Sequence, residues 1–255
     1  MPKKASASIV AFNNAAQLPE LLDSLKLSSD LGDLELFVID NASSDATVTV
    51  LDKRFSWANL LRNKQNMGFG AAHNKVVPFL QSRYHVFINP DIIFTEDVLT
   101  PLFAYLDDHP QVVMVTPRIL NTDGSEQKLP KLQPRLKYLL ARRFEKRFEW
   151  AKRLSRVYVR ANEDFLVPTE IDTCTGSFCV IRTEVLKALG GFDERFFLYF
   201  EDNDLSRRAH AYGSLIFYPQ AAVIHRYQRL AMHNRRALLL QICSMVHYFN
   251  KYGWA

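Results

Sequence analysis

The feature that most constrains this chain is the alternation, through its first half, of short apolar runs with segments of helical spacing. Residues 6–12, 34–40, 59–62, 84–89 and 112–116 read as buried strands. Between them, 18–27, 45–54, 70–81 and 95–108 carry apolar residues every three or four positions, several of them opening on the Asp, Asn or Thr that caps helix N-termini. Continuously apolar strands separated by helices predict an α/β fold with a mostly parallel central sheet covered on both faces. In such sheets ligands bind beyond the carboxyl ends of the strands, and here those ends are polar. Phe12, Asn13 and Asn14 follow the first strand, Asp40 and Asn41 the second, and Asn89, Pro90 and Asp91 the fourth.

The alternation breaks at 128–160, where twelve Lys or Arg residues accompany Leu136, Leu140, Phe144, Phe148 and Ala151 at intervals of three or four. This predicts a basic amphipathic helix, or two. Beyond it, 171–181 reads as a strand, 183–189 and 201–212 as helices, 215–218 and 222–225 as short strands, and 229–248 as a last helix. With 255 residues, 48% of them hydrophobic, and no internal repeat or low-complexity linker, the chain can bury one large core, so residues 1–255 are expected to form a single domain.

A formal charge of +5 draws anionic partners without choosing among nucleotides, nucleic acid and acidic lipid. The three cysteines, Cys174, Cys179 and Cys243, lack paired spacing and predict reduced thiols, not a disulfide framework or zinc site. The opening MPKKASASIVAFNN has no signal-peptide core, and the apolar run 237–246 is interrupted by Gln241 and too short to span a bilayer. A chain that stays on the cytosolic side is therefore expected.

Several polar strand ends allow two roles. Asp40 can open a turn and lead to a helix cap at Asp45, or accept hydrogen bonds from a base or ribose. Gly68 and Gly70 stand at a helix entrance where bare amides can meet an anion. Asp91, held on a rigid turn by Pro90 just past an apolar strand, can ligate Mg²⁺ or Mn²⁺, or cap the helix that follows. In GGFDERFFLYFEDNDL, aromatics stand directly against Glu201, Asp202 and Asp204. Asp204 is spaced to pair with Arg208, whereas desolvation by the aromatic wall can raise a neighbouring carboxyl's pKa towards that of a general base. His225 ends a strand and can be structural or reach a metal or diphosphate.

Taken in order, SIVAFNN, VIDNASSD, NMGFGAAHN, INPDI, CTGSFCVIR, GGFDERFFLYFEDNDLSRR and AVIHRY, spread over residues 8–227, resemble glycosyltransferase family 2 and, within it, its bacterial rhamnosyltransferase-like branch. The resemblance implies a GT-A fold, with residues 1–120 as the nucleotide-sugar half, 128–160 as a basic helical excursion and 165–255 as the acceptor and catalytic half. It implies inverting transfer from a nucleotide-sugar donor, with Phe12, Asn13, Asp40 and Asn41 at the nucleoside and Gly68 and Asn74 lining the donor pocket. Asn89 and Asp91 would hold the diphosphate and a Mg²⁺ or Mn²⁺ ion, with His225 assisting at the metal. Gly176, Ser177 and Glu201 would border the acceptor and sugar, and Asp202 would be the base. Many relatives carry two aspartates where this chain has Asn89-Pro90-Asp91, which leaves one carboxylate fewer for a metal. The branch implies dTDP-L-rhamnose as donor and a lipid-linked or growing cell-surface glycan as acceptor, with UDP- and GDP-sugars as the alternative.

An acceptor carried on a polyprenyl diphosphate would bring the enzyme to the inner face of the cell membrane as a peripheral protein. The 128–160 segment could meet that anionic surface, pack on the core, or contact a second subunit. A sugar-phosphate nucleotidyltransferase should carry a glycine-rich basic loop where Phe12-Asn13-Asn14 stands. A nucleic-acid binder would leave Asp40, Asp91 and the 201–204 acids unexplained, because carboxylates repel phosphates, so no nucleic-acid partner is expected.

Overall fold

The parallel half of the sheet is built from four of the runs expected as strands. β1 (Ala5–Ala11), β2 (Leu34–Asp40), β3 (Asn59–Arg62) and β4 (Tyr84–Ile88) pair side by side in the order β3-β2-β1-β4. Every residue of β1 and β4 is buried, because helices cover both faces. These are α1 (Leu18–Ser24), α2 (Thr47–Arg54), α3 (Phe69–Asn74) and α4 (Leu99–Asp108), whose Phe103 stacks on Tyr84 with ring centroids 5.4 Å apart. The helix expected over 70–81 stops at Asn74 and gives way to a 3-10 turn, Val77–Phe79, that contains Pro78, which has no amide hydrogen to continue a ladder. The computed structural model describes residues 4–28, 32–127, 129–226 and 235–254; Lys128, Tyr227 and the expected helix start at Arg229 lie outside them.

Beyond β4 the sheet is mixed rather than parallel. β8 (Phe178–Arg182) runs antiparallel to β4, β6 (Val112–Leu120) antiparallel to β8, and β9 (Ser214–His225) parallel to β6. β5 (Ile92–Phe94) and β7 (Thr169–Glu170) add antiparallel partners to β9. β5 follows at once on the Pro90 turn, and no strand was expected there. The two short strands expected at 215–218 and 222–225 are one, carrying an irregularity opposite Pro117 and Arg118. The strand expected over 171–181 begins only at Phe178, leaving Gly176 and Ser177 in the loop before it.

The basic segment folds as two helices, α5 (Leu136–Phe144) and α6 (Glu149–Tyr158). They join through Tyr138 stacked on Tyr158, with centroids 5.2 Å apart, and bury Ala141, Ala151 and Ser155. Leu140, Phe144 and Phe148, expected as part of the apolar face, remain exposed. The chain closes with α7 (Thr183–Ala188), α8 (Glu201–Ala209) and α9 (Arg235–Tyr252). Phe196, Phe200, Tyr248 and Phe249 form a small core that also takes Leu136 and Leu139 of α5.

A buried polar relay runs beneath the parallel strands. Ser82 Oγ meets Ser6 Oγ at 2.7 Å, Ser6 Oγ meets His85 Nδ1 at 2.7 Å, His85 Nε2 meets Ser8 Oγ at 2.8 Å, and Ser8 Oγ meets His73 Nδ1 at 2.7 Å. Burial lowers both imidazoles, His85 to about 3 and His73 well below the usual 6.5, so both are neutral in the folded chain. The unfolded chain takes up these protons near the ordinary value. Their contribution is therefore whole above about pH 6.5 and is lost as pH falls towards 3, at up to about 1.4 kcal/mol per pH unit for each histidine. Urea unfolding measured between pH 7.5 and 5 should show stability falling with a slope approaching two protons; a flat profile would contradict neutral buried histidines.

Candidate active site

β4 ends at Ile88, and the next amide, that of Asn89, donates to the Ser177 carbonyl at 2.8 Å. Pro90 turns the chain so that β5 pairs with β9 and sets Ile92 opposite His225. His225 Nε2 thereby lies 3.2 Å from Asp91 Oδ1. The Arg226 amide donates to the Asp91 carbonyl at 3.1 Å and fixes the same joint from the other strand. Asn89 Oδ1 is buried beside it without a hydrogen bond among the described residues.

The loop before the adjoining strand holds the second carboxylate, that of Asp202 on the helix Glu201–Ala209. Gly176, next to Ser177, donates its amide to Asp202 Oδ2 at 3.1 Å, while Asn203 donates its backbone amide and its Nδ2 to Asp202 Oδ1 at 2.8 and 2.7 Å. A Cβ at position 176 would stand 3.3 Å from that of Asp202, so the small residue lets the two loops close up. Asp91 and Asp202 are thus brought to one edge of the sheet by two hydrogen bonds, from Asn89 to Ser177 and from Gly176 to Asp202. Tyr199 and Phe200 precede Asp202 with φ of 71° and 67°, a left-handed pair that costs about 1–2 kcal/mol per residue and is held by the burial of Phe196 and Phe200.

The three acids of this segment part company. Asp204 has no exposed surface and accepts from Arg208 Nε at 2.7 Å, from Lys251 Nζ and from the Tyr252 hydroxyl, so it anchors α9 to α8, with the expected Arg208 pairing as one of its bonds. Glu201 is buried, and burial, followed by the charge of Asp202, pushes its carboxyl well above the ordinary range. The desolvation expected for the base therefore falls on Glu201, which was expected at the acceptor and sugar pocket. Asp202 is the acid of the three that reaches the surface.

The expected nucleoside residues divide in the same way. Phe12 is 47% exposed just past β1, an open aromatic face suited to stacking. Asn13, at φ 58°, accepts from the Ser44 amide at 2.8 Å and so joins the β1 and β2 ends. Asp40 is buried and accepts from the Ser43 amide at 3.1 Å. Asn41 is buried too, donating to Asn66 and Gly68 and accepting from Asn63 and Met67. It shapes the loop before α3 instead of presenting its amide outward. Asn74 bonds both the amide and the carbonyl of Phe192, at 2.8 and 2.9 Å, and so positions the loop that leads to Asp202. Gly68, at φ 87°, lies against the Phe197 carbonyl, to which Phe69 donates at 2.9 Å.

One cation that feels the charge of Asp202 was not singled out from the sequence. Lys131 stands in a basic run where nothing sets it apart from its eleven fellows, and only the fold brings it under the influence of Asp202. No cluster of three or more His, Cys, Asp or Glu able to hold a metal occurs among the described residues, and Asp91 and His225 stand together as a pair.

The profile described as Glycosyl transferase family 2 matches residues 6–190 of this chain. The chain belongs to that family. An N-acetylglucosaminyl-diphospho-decaprenol L-rhamnosyltransferase of Mycobacterium tuberculosis is 26% identical over 85% of this chain and 74% of its own length. The rhamnosyltransferase WbbL of Escherichia coli is 26% identical over 67% of this chain and 63% of its own. Among solved structures, GalNAc-T7 with UDP, GalNAc and Mn²⁺ superposes with a TM-score of 0.67 at 16% identity, over 89% of this chain and 44% of that one. Staphylococcus aureus TarS 1–349 in complex with UDP gives 0.62 at 18% identity, over 95% of this chain and 65% of that one. The expected GT-A fold is therefore present, and this family 2 member is a glycosyltransferase.

Glycine at 68 can be tested against glycine at 124, which has a similar φ of 81° but open space around it. Gly124→Ala should lose about 1 kcal/mol, a fall of roughly 2–4 °C in melting temperature. Gly68→Ala, whose Cβ would fall 2.3 Å from the Phe197 oxygen, should lower melting at least twice as far and impair transfer. Equal shifts in thermal melts would contradict the close approach.

Proposed function

We propose that this transferase moves L-rhamnose from dTDP-L-rhamnose, with inversion, onto a hydroxyl of a glycan carried on a polyprenyl diphosphate. The observation that carries the site is the linked pair of hydrogen bonds, Asn89 to Ser177 and Gly176 to Asp202, which set two carboxylates at one sheet edge. The rhamnose donor and the lipid-linked acceptor are supported by the names of the two relatives.

Asp202 accepts the proton of the acceptor hydroxyl as its oxygen bonds to the anomeric carbon, and the bond from that carbon to the donor diphosphate breaks on the opposite face. The amides of Gly176 and Asn203 orient the carboxylate for this transfer. Phe12 stacks on the base, and Asn13 and Asp40 border the nucleoside. Asp91 and His225, with Asn89 Oδ1 behind them, fit a divalent Mg²⁺ or Mn²⁺, whose charge when bound would neutralise the departing diphosphate.

The enzyme works as a peripheral protein at the cytoplasmic face of the cell membrane. No described helix is long and apolar enough to cross a bilayer. Leu140, Phe144, Phe148, Trp150 and Val157 are 42–56% exposed on α5, α6 and their joint, interleaved with exposed Arg143, Lys146, Arg147 and Lys152. Apolar anchors among cations suit an anionic leaflet, whereas docking on a second copy through the same face would oppose like charges.

Asp202→Asn should lower kcat by about 10²- to 10⁴-fold while leaving donor affinity within a few-fold, measured by radiolabelled transfer and by nucleotide titration. A parallel loss of donor affinity would reassign Asp202 to the donor site. Replacing Arg143, Lys146 and Arg147 by Gln should release the protein from phosphatidylglycerol vesicles in a sedimentation assay; unchanged sedimentation would remove the membrane role of this face.

A further inference from the structure

α3 is held at both of its ends, and by different parts of the molecule. At its start, Asn41 Nδ2 donates to the Gly68 carbonyl at 3.1 Å and Asn41 Oδ1 accepts from the Met67 amide at 3.0 Å, which ties the helix to the end of β2. The helix also lies along the segment 191–197. Phe69 donates its amide to the Phe197 carbonyl at 2.9 Å. Asn74 Oδ1 accepts from the Phe192 amide at 2.8 Å, and its Nδ2 donates to the Phe192 carbonyl at 2.9 Å and to Glu194 Oε1 at 3.1 Å.

The two segments approach as closely as glycine allows. A Cβ at position 68 would stand 2.3 Å from the Phe197 oxygen, one at 70 would stand 2.7 Å from the Phe192 Cβ, and one at 191 would stand 2.2 Å from Asn74 Oδ1. The Phe192 ring then packs on Phe69 and Phe87, with centroids 5.8 and 4.8 Å away. The chain that leaves this contact passes through the left-handed Tyr199 and Phe200 to reach Asp202. Such dihedrals persist only where the surroundings over-determine them. The holds on this stretch include the α3 bonds, the Ser244 hydroxyl donating to the Leu198 carbonyl at 2.8 Å, and the Gly176 amide on Asp202 Oδ2.

We infer that Asn74 is a positioning residue for Asp202, acting through Phe192, and that α3 is a strut setting the base at a fixed distance from the end of β2. The resemblance implied a place for Asn74 in the donor-pocket wall, yet both of its polar atoms are engaged on the backbone of Phe192. That grip needs one acceptor and one donor on a short side chain, which among the common residues is an asparagine. This inference rests on the role of Asp202 as base proposed above.

The test is a double-mutant cycle in the full chain, with turnover read as transfer of radiolabelled rhamnose to farnesyl-diphosphate-linked N-acetylglucosamine and donor affinity read by dTDP titration. Misplacing a catalytic group by 1 Å can cost about 10²-fold, so Asn74→Ala should lower kcat by about ten-fold or more while leaving dTDP affinity within about two-fold. In the Asp202→Asn background the same change should lower the residual kcat by less than about two-fold, because no base is left to place. Two glycine variants reach the contact with Asn74 intact, and they carry the test should Asn74→Ala not fold. Gly191→Ala should reproduce the loss, whereas Gly190→Ala, at a similar φ of 69° against 77° but with open space at its Cβ, should keep kcat within about two-fold of the wild type. A fall in dTDP affinity matching the fall in turnover would return Asn74 to the donor pocket. That result, an undiminished loss in the Asp202→Asn background, or equal losses in the two glycine variants would each overturn the inference and leave the base standing. Full turnover in Asp202→Asn alone would instead defeat the base assignment, and this inference with it.

Discussion

The hydrogen bond from the Asn89 amide to the Ser177 carbonyl is the joint on which the site depends. It closes the antiparallel pairing of β4 with β8 at the end where β4 stops and β8 starts. Antiparallel strands bring the residues after one beside the residues before the other. Asn89, Pro90 and Asp91 therefore meet Gly176 and Ser177, and through Gly176 they meet Asp202. A parallel β8 would have delivered the residues after Arg182 to that edge and left the second carboxylate without its amide partner.

A second joint ties α3 to the segment that leads to Asp202. Phe69, at the start of α3, donates to the Phe197 carbonyl, and Asn74 at the end of α3 grips Phe192 through both of its amide atoms. The segment between these contacts and α8 includes the left-handed Tyr199 and Phe200, whose unfavourable dihedrals are held by burial of the neighbouring rings. Burial also decides the fate of adjacent acids. Asp204 is paired with Arg208 and Lys251, desolvation pushes the Glu201 carboxyl upward, and Asp202 reaches the surface. A burial difference across four consecutive residues separates the anchor Asp204 and the buried Glu201 from the accessible Asp202.

Much of the fold was legible because apolar periodicity reports burial directly. The limits of β2 and β3 match the expected runs, and the polar ends of β1, β2 and β4 lie at one edge of the sheet. The misses have separate physical causes. β5 is three residues long, too short to show a period, and exists because Asp91 turns towards His225. The rule that function lies past the carboxyl ends of strands could not point to Gly176, which precedes its strand, and only the family resemblance reached it. In α5 and α6 the stripe of Leu140, Phe144 and Phe148 has the right spacing for a core face, yet the Tyr138–Tyr158 stack takes the helices' buried side and leaves that stripe outside. Spacing shows that a face exists; it does not say what covers it. The His73–Ser8–His85–Ser6 relay was likewise invisible, since isolated polar residues in an apolar strand carry no sign of their partners.

On the proposed reaction, Asp91 and Asp202 face one another across a single gap that holds an activated sugar. A crystal structure with dTDP and Mn²⁺ measures this directly through the anomalous signal of the ion. The expected result is a peak within ligand distance of Asp91 and His225, the diphosphate upon it, and the Asp202 carboxylate across a space one sugar wide. A nucleotide seated elsewhere, or a wall of side chains between the ion and Asp202, would contradict it.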